Sequence, residues 1–264
     1  MHKGTKGIVF VLVILFSVIS CATVSPYYNQ NEGYSVLGAA IPDNGTLSVF
    51  LKASLFKNIL SPIPPELLKR ADYLTIAIDE SNHIYGGIEG RFIADSIRFV
   101  SGKNRIQYNS FQIIQPDSGI LLFSNTDIKM AERTLIKERG GYRSKEQMKL
   151  ISQVEGALLG RNIPSSLTSS VFSLSLPLEQ ISLTLSNKEQ GIYIYGKIDC
   201  YSTSDSEQLF RVIKTWLVSR YRINGKVGEI VNLPQSLISS NDKIEFSGVY
   251  ISYSDLEYLL NSLV

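Results

Sequence analysis

The chain has 264 residues, 44% of them hydrophobic, with 26 Lys and Arg against 24 Asp and Glu. That length and apolar content suffice for one large or two small domains with their own cores, and the near balance of charge excludes the broad positive field by which nucleic acid is held. Two cysteines leave no material for a disulfide framework.

The first six residues carry Lys3 and Lys6 and no acid, and residues 7–16 are uninterruptedly apolar or small. A bilayer core of about 30 Å needs roughly 20 apolar residues as helix, so this run is too short to remain as a spanning anchor. It has the basic, apolar and small-residue order of a cleaved secretory signal. The stretch Val18-Ile19-Ser20-Cys21 then resembles the lipobox of bacterial lipoproteins, a resemblance confined to residues 1–24. It implies that Val18, Ile19 and Ser20 are read by lipoprotein signal peptidase and that the chain is cut before Cys21. Cys21 would carry an S-diacylglycerol and an N-acyl chain such as palmitate, a covalent anchor rather than a catalyst. Two or three chains hold a protein firmly where one does so marginally. Ala22, where an aspartate would retain the protein at the inner membrane, implies the outer membrane. Removing residues 1–20 takes two lysines and no acid, leaving 24 cations and 24 anions. Cys200 is then the one unmodified thiol, so no intramolecular disulfide forms and packing must supply the stability.

Residues 21–45, rich in Ser, Pro, Tyr, Asn and Gly, read as the lipidated N-terminus and a flexible tether. Beyond it the chain echoes itself. Residues 84–89, Ile-Tyr-Gly-Gly-Ile-Glu, match residues 194–199, Ile-Tyr-Gly-Lys-Ile-Asp, and Leu74-Thr75-Ile76 matches Leu183-Thr184-Leu185. Each set describes a hairpin. Strands are expected at Val49-Phe50-Leu51 and Val171-Phe172-Ser173-Leu174, and Pro-led helical turns at Pro64–Leu68 and Pro177–Gln180, since proline suits a first helical turn. Period-two alternation of Ile181, Leu183 and Leu185 with Ser182, Thr184 and Ser186 marks a half-buried strand. The expected fold class is therefore α+β: two tandem repeats of antiparallel strands with helices on one face. The first repeat spans 46–139, a linking helix and linker 140–168, and the second repeat 169–264.

Helix starts are marked by S-x-x-E or S-x-x-Q spacings at Ser144, Ser204 and Ser254, which fit capping boxes. The first opens a helix with Met148, Ile151, Val154 and Leu158 that ends near Gly160. The second opens the longest helix, about 205–221, whose wide apolar face of Leu209, Val212, Ile213, Trp216, Leu217 and Tyr221 is expected to pack on the sheet.

Chemistry is scarce. Once the signal is removed only His83 remains, in the turn of the first hairpin, so a Ser-His-Asp or Cys-His system would depend on it alone. Asp79, Glu80 and Glu89 are the acids available near that turn. Gly86-Gly87-Ile88-Glu89-Gly90 lacks the phosphate-loop form and sits in a strand. Tyr85-Gly86 and Tyr195-Gly196 recur at one place in the echo. There a glycine admits a bulge or a covering aromatic ring, and the four residues are a candidate ligand or packing site. The locally basic segment 137–145 reads as a solvated linker.

These observations point to a non-enzymatic, membrane-anchored lipoprotein of the cell envelope with a binding or scaffolding role. It would need no metal and no cofactor beyond the lipid on Cys21. Its partners would be the membrane through the anchor, an envelope protein or a lipid, and not nucleic acid. The alternative is a lipid-handling lipoprotein that uses an apolar cavity or amphipathic helices. A third reading, a carboxylate-based hydrolase, requires paired acids about 5–10 Å apart in a cleft.

Overall fold

The computed structural model describes residues 46–56, 69–81, 83–92, 105–108, 110–117, 119–128, 151, 153–172, 174–188 and 191–263. The signal, Cys21, the tether, Pro64–Leu68, Ser144 and segment 137–145 lie outside the described residues. Eleven strands are described: β1 Thr46–Lys52, β2 Ala71–Asp79, β3 Ile84–Gly90, β4 Arg105–Tyr108, β5 Phe111–Asp117, β6 Ile120–Ser124, β7 Gly156–Ile163, β8 Leu178–Lys188, β9 Gly191–Cys200, β10 Leu237–Ser240 and β11 Lys243–Ile251. Five helices accompany them: α1 Ala53–Phe56, α2 Ser165–Phe172, α3 Thr203–Ile223, α4 Val227–Ser236 and α5 Tyr253–Leu263.

All the strands join one antiparallel sheet in the order β10-β11-β9-β8-β7-β1-β2-β3-β6-β5-β4. This corrects the expected pair of tandem α+β repeats. The echoed segments are indeed hairpins, β2–β3 and β8–β9, but they belong to a single continuous sheet. β1 bonds to β2 along one edge and to β7 along the other, Ser48 to Leu51 facing Gly156 to Leu159. An unpaired strand edge is a liability in water, and β1 and β7 remove each other's.

Three local expectations change with it. Gly156–Ile163, assigned in sequence to a helix and linker, is β7 at the middle of the sheet. Leu158 and Leu159 there face opposite sides, as a strand requires. Val171 and Phe172 end α2 instead of forming a strand. That helix is held by Thr168, whose hydroxyl donates to the Leu176 carbonyl at 2.5 Å and accepts from its amide at 3.2 Å. Leu178 after Pro177 begins β8 rather than a helical turn, paired with Ile163 and Cys200.

The long helix forms as expected but is capped two residues earlier. Ser202 is its cap, with its hydroxyl accepting from Asp205 N at 3.2 Å. The last helix shifts likewise: Asp255 N donates to Ser252 Oγ at 3.1 Å, and Ser252 N donates back to Asp255 at 3.0 Å, a reciprocal cap. In both cases Ser-x-x-Asp takes the place of the expected Ser-x-x-Glu. Helix α4 has no counterpart in the sequence reading; it accommodates Pro234 because that residue falls in its last turn.

One apolar cluster runs along the helix-bearing face, from Leu47 and Leu74 through Ile181 and Ile198 to Leu209, Leu217 and Leu256. Two small clusters lie apart from it, one around Ile120, Leu122 and Ile128, the other around Phe50, Ile151 and Leu159. On α3, Leu209, Ile213, Leu217 and Tyr221 form a buried column at four-residue spacing. Each such side chain contributes about 1.5–3 kcal/mol on burial. Tyr221 adds a hydrogen bond from its hydroxyl to the Tyr250 carbonyl at 2.7 Å, and burial pushes its phenol well above the ordinary range.

Candidate functional site: an apolar cavity beneath two helices

Register builds the floor of the site. Val49, Leu158, Leu183, Gly196 and Phe246 stand opposite one another across β1, β7, β8, β9 and β11. A second row runs Leu51, Gly156, Leu185, Ile194 and Val249. Each row thus contains four large apolar residues and one glycine. The two glycines behave differently. A Cβ on Gly156 would lie within about 3 Å of Leu185, Leu55 and Leu51 side chains, which close over it. Gly196 adds no side chain between Leu183 and Phe246, and those two residues line open space.

That space is a cavity of about 330 Å³, partly open to solvent. Its roof is Val212, Ile213, Trp216 and Leu217 of α3 with Leu256, Tyr258 and Leu259 of α5. Every lining residue is apolar or aromatic, and none is charged. At roughly 30 Å³ per water-sized group, the volume holds on the order of ten methylenes.

The two roof helices are tied at one rim. Asp255 is buried, and its carboxylate accepts from Ser252 Oγ at 2.6 Å, from Asn224 Nδ2 at 3.1 Å and from Arg220 Nε. Asn224 is the C-cap of α3, so one carboxylate caps α5 and ties it to the end of α3. Arg220 also lies over the Tyr258 ring, 5.5 Å from its centre.

The residues singled out in sequence are not brought together. Tyr85-Gly86 sit on β3 and Tyr195-Gly196 on β9, five strand steps apart in the sheet. Gly86 lies against the Phe123 ring, whose Cζ would be 2.8 Å from an added Cβ. The Tyr195 hydroxyl accepts from Lys188 Nζ at 2.9 Å, and that bond raises the Lys188 pKa. By alternation Tyr195 faces away from Ile194 and the cavity; only Gly196 belongs to the floor.

His83 is half exposed, with Nδ1 3.1 Å from Asp79. Asp79 also accepts from the amides of Ser81 and His83, so it closes a turn. Glu89 is buried within β3. Among the described residues no group of three or more His, Cys, Asp or Glu is placed to hold a metal. The sequence reading raised an apolar cavity as its alternative but did not place it. The signal was the width of the α3 face: Val212 and Trp216 flank the buried column and are only half-buried, more apolar surface than the sheet alone covers.

No protein-family model matches the sequence, and no curated protein does. Among solved structures, crystal form I of TP0453 aligns with a TM-score of 0.57 at 11% identity, covering 87% of this chain and 98% of that one. Form III gives 0.56 at 10% identity over 85% and 97%, and form IV 0.54 at 10% over 87% and 98%. At such identity the likeness is one of fold: the chain shares the fold of TP0453 over nearly the whole of that protein.

Proposed function

We propose that this protein is a lipid-anchored component of the bacterial cell envelope that binds an acyl chain in the cavity between the sheet and helices α3 and α5, without catalysing a reaction. The observation that carries the reading is the cavity itself. The cavity of about 330 Å³ is partly open and lined by apolar and aromatic residues, so water entering it meets an apolar wall. A chain occupying it gains about 0.8 kcal/mol per buried methylene. The lipobox at Val18 to Cys21 and Ala22 support an outer-membrane anchor, and among the described residues no helix is long and apolar enough to cross a membrane.

Trp216 is the one tryptophan of the chain and lines the cavity, so its fluorescence reports occupancy. Fatty acids brominated along the chain should quench it saturably. Leu158→Phe, which fills the floor, should weaken that quenching at least tenfold while changing stability by less than about 1.5 kcal/mol. Absence of saturable quenching in the full chain would sink the reading.

A second reading, docking of a helix into a leaflet, is favoured by one observation. Ile223, Val227 and Val231 stand four residues apart at the α3–α4 corner and are 70%, 62% and 73% exposed, with exposed Arg222 among them. Apolar residues beside cations suit a headgroup boundary.

A further inference from the structure

We propose that the cavity selects an anionic amphiphile, with its acyl chain beneath Trp216 and its acidic headgroup on the guanidinium of Arg220. The inference deepens the acyl-chain reading above and rests on it.

Arg220 follows Trp216 by one helical turn on α3, so it lies at the same side of the helix, beyond the end of the lining. Tyr258 marks the boundary. Its ring lines the cavity and is 56% exposed, and the Arg220 guanidinium carbon sits 5.5 Å from that ring's centre. The Arg220 side chain is itself 23% exposed, between the dry interior and water.

Its hydrogen bonding is incomplete. A guanidinium has five N–H donors in a planar fork. Nε donates to Asp255 and the ring of Tyr258 holds one face, so the plane is fixed, and among the described residues neither terminal NH₂ group has a hydrogen-bond partner. Asp255 balances the charge of the arginine and is itself held in place by the Ser252 amide and hydroxyl and by Asn224, so what the pair offers a ligand is oriented terminal N–H donors rather than an unpaired cation. A fixed fork with free terminal donors is the geometry that takes a carboxylate or phosphate by two parallel bonds. The cavity behind it holds no charge, so a free acid or phosphate without a chain gains nothing from the interior. An uncharged chain, in turn, gains nothing from the fork. A carboxylate or phosphate ending an acyl chain uses both.

The experiment compares dodecanoic acid, dodecyl phosphate and dodecanol as competitors for a neutral fluorescent apolar probe bound to the full chain. Charge-assisted hydrogen bonds of about 1.5–3 kcal/mol correspond to roughly 10-fold to 100-fold, so one or both anions should compete at that much lower concentration than the alcohol. A fatty-acid site favours the carboxylate, and a phospholipid-type site the phosphate. Arg220→Gln should erase the gap between anion and alcohol, and Arg220→Lys should keep part of it. Because Arg220 also ties the roof helices, a second measurement on the unaltered protein stands beside these variants: the gap should shrink as salt is raised while dodecanol competition holds. Equal competition by acid, phosphate and alcohol, a gap indifferent to salt, or a gap retained in Arg220→Gln would overturn the proposal and leave the acyl-chain reading standing. Failure of all three competitors, with no quenching of Trp216, would overturn both.

Discussion

The two Ile-Tyr-Gly segments begin with the same local chemistry and finish in different surroundings. On β3, Gly86 lies opposite Ile76 and Phe123, and the Phe123 ring rests against its bare main chain. On β9, Gly196 lies opposite Leu183 and Phe246, at φ +122, with main-chain atoms of Ser182 and Leu183 as its nearest neighbours. One glycine is covered by an aromatic ring; beside the other, both cross-strand partners open onto a cavity. The lesson is that the tripeptide fixes a close approach of strands, while the elements laid over it decide whether the space above is filled or left for a ligand.

The largest effects should come from the glycines. An added Cβ would lie 2.1 Å from the Thr75 carbonyl at Gly86 and 2.1 Å from the Ser182 carbonyl at Gly196, so the main chain must move in either case. Gly86→Ala should cost about 3 kcal/mol or more in urea unfolding. Gly196→Ala should cost a further 1–3 kcal/mol, because its positive φ disfavours any side chain. Equal losses would mean that strand contact alone, and not backbone conformation, distinguishes the two positions.

Truncated leucines sharpen the same comparison at smaller scale. Leu74 is 1% exposed in the filled part of the sheet, and Leu74→Ala should cost about 3 kcal/mol, the transfer of its atoms plus a new void. Leu183 already borders open space, so Leu183→Ala should cost nearer 2 kcal/mol, mostly the transfer of its methyl groups. Unfolding midpoints that rank the pair the other way would place the well-packed half elsewhere.

A smaller effect is expected from Cys200, buried at the end of β9. Burial, aided by Asp205, Asp199 and Asp242, pushes its thiol from 9.0 up to about 11. The folded state therefore holds a proton that the unfolded chain has lost, and stability falls with rising pH wherever that is so. The thiol's contribution is whole below pH 9 and is lost as pH climbs to about 11. Urea midpoints across that window should fall more steeply for the natural protein than for Cys200→Ala. Parallel slopes would show that the thiol titrates alike in both states.

Much of the late half, β8 and β9 with α3, was legible. The alternation of Ile181, Leu183 and Leu185 and the column Leu209, Ile213, Leu217 and Tyr221 are period signals that local sequence carries directly. Sequence patterns misled where tertiary pairing overrode them. Leu158 fits a helical period with Ile151 and Val154, yet the free edge of β1 recruits it into a strand. Pro177 suits a helix start as well as the residue before a strand, and only the pairing of Leu178 with Ile163 and Cys200 chooses. The cavity could not be placed from individual residues, since it is a difference between the width of the α3 face and the floor beneath it. Arg220 was passed over for a similar reason: nothing in its neighbours on the chain reveals that Asp255 and Tyr258 orient it.

The bond between β1 and β7 also constrains how the protein is made. Phe50 pairs with Ala157, roughly 100 residues further along the chain, whereas the hairpins β2–β3 and β8–β9 close over short turns. Contacts so distant in sequence carry a loop-closure cost before they return any stability, and they slow folding. During synthesis the early hairpin can form alone, but one edge of β1 stays open until residue 163 has emerged. Through that interval the strand Thr46–Lys52 offers a sticky apolar edge to any neighbouring chain, so a chaperone that shields it would raise the folded yield more than one acting on the late half.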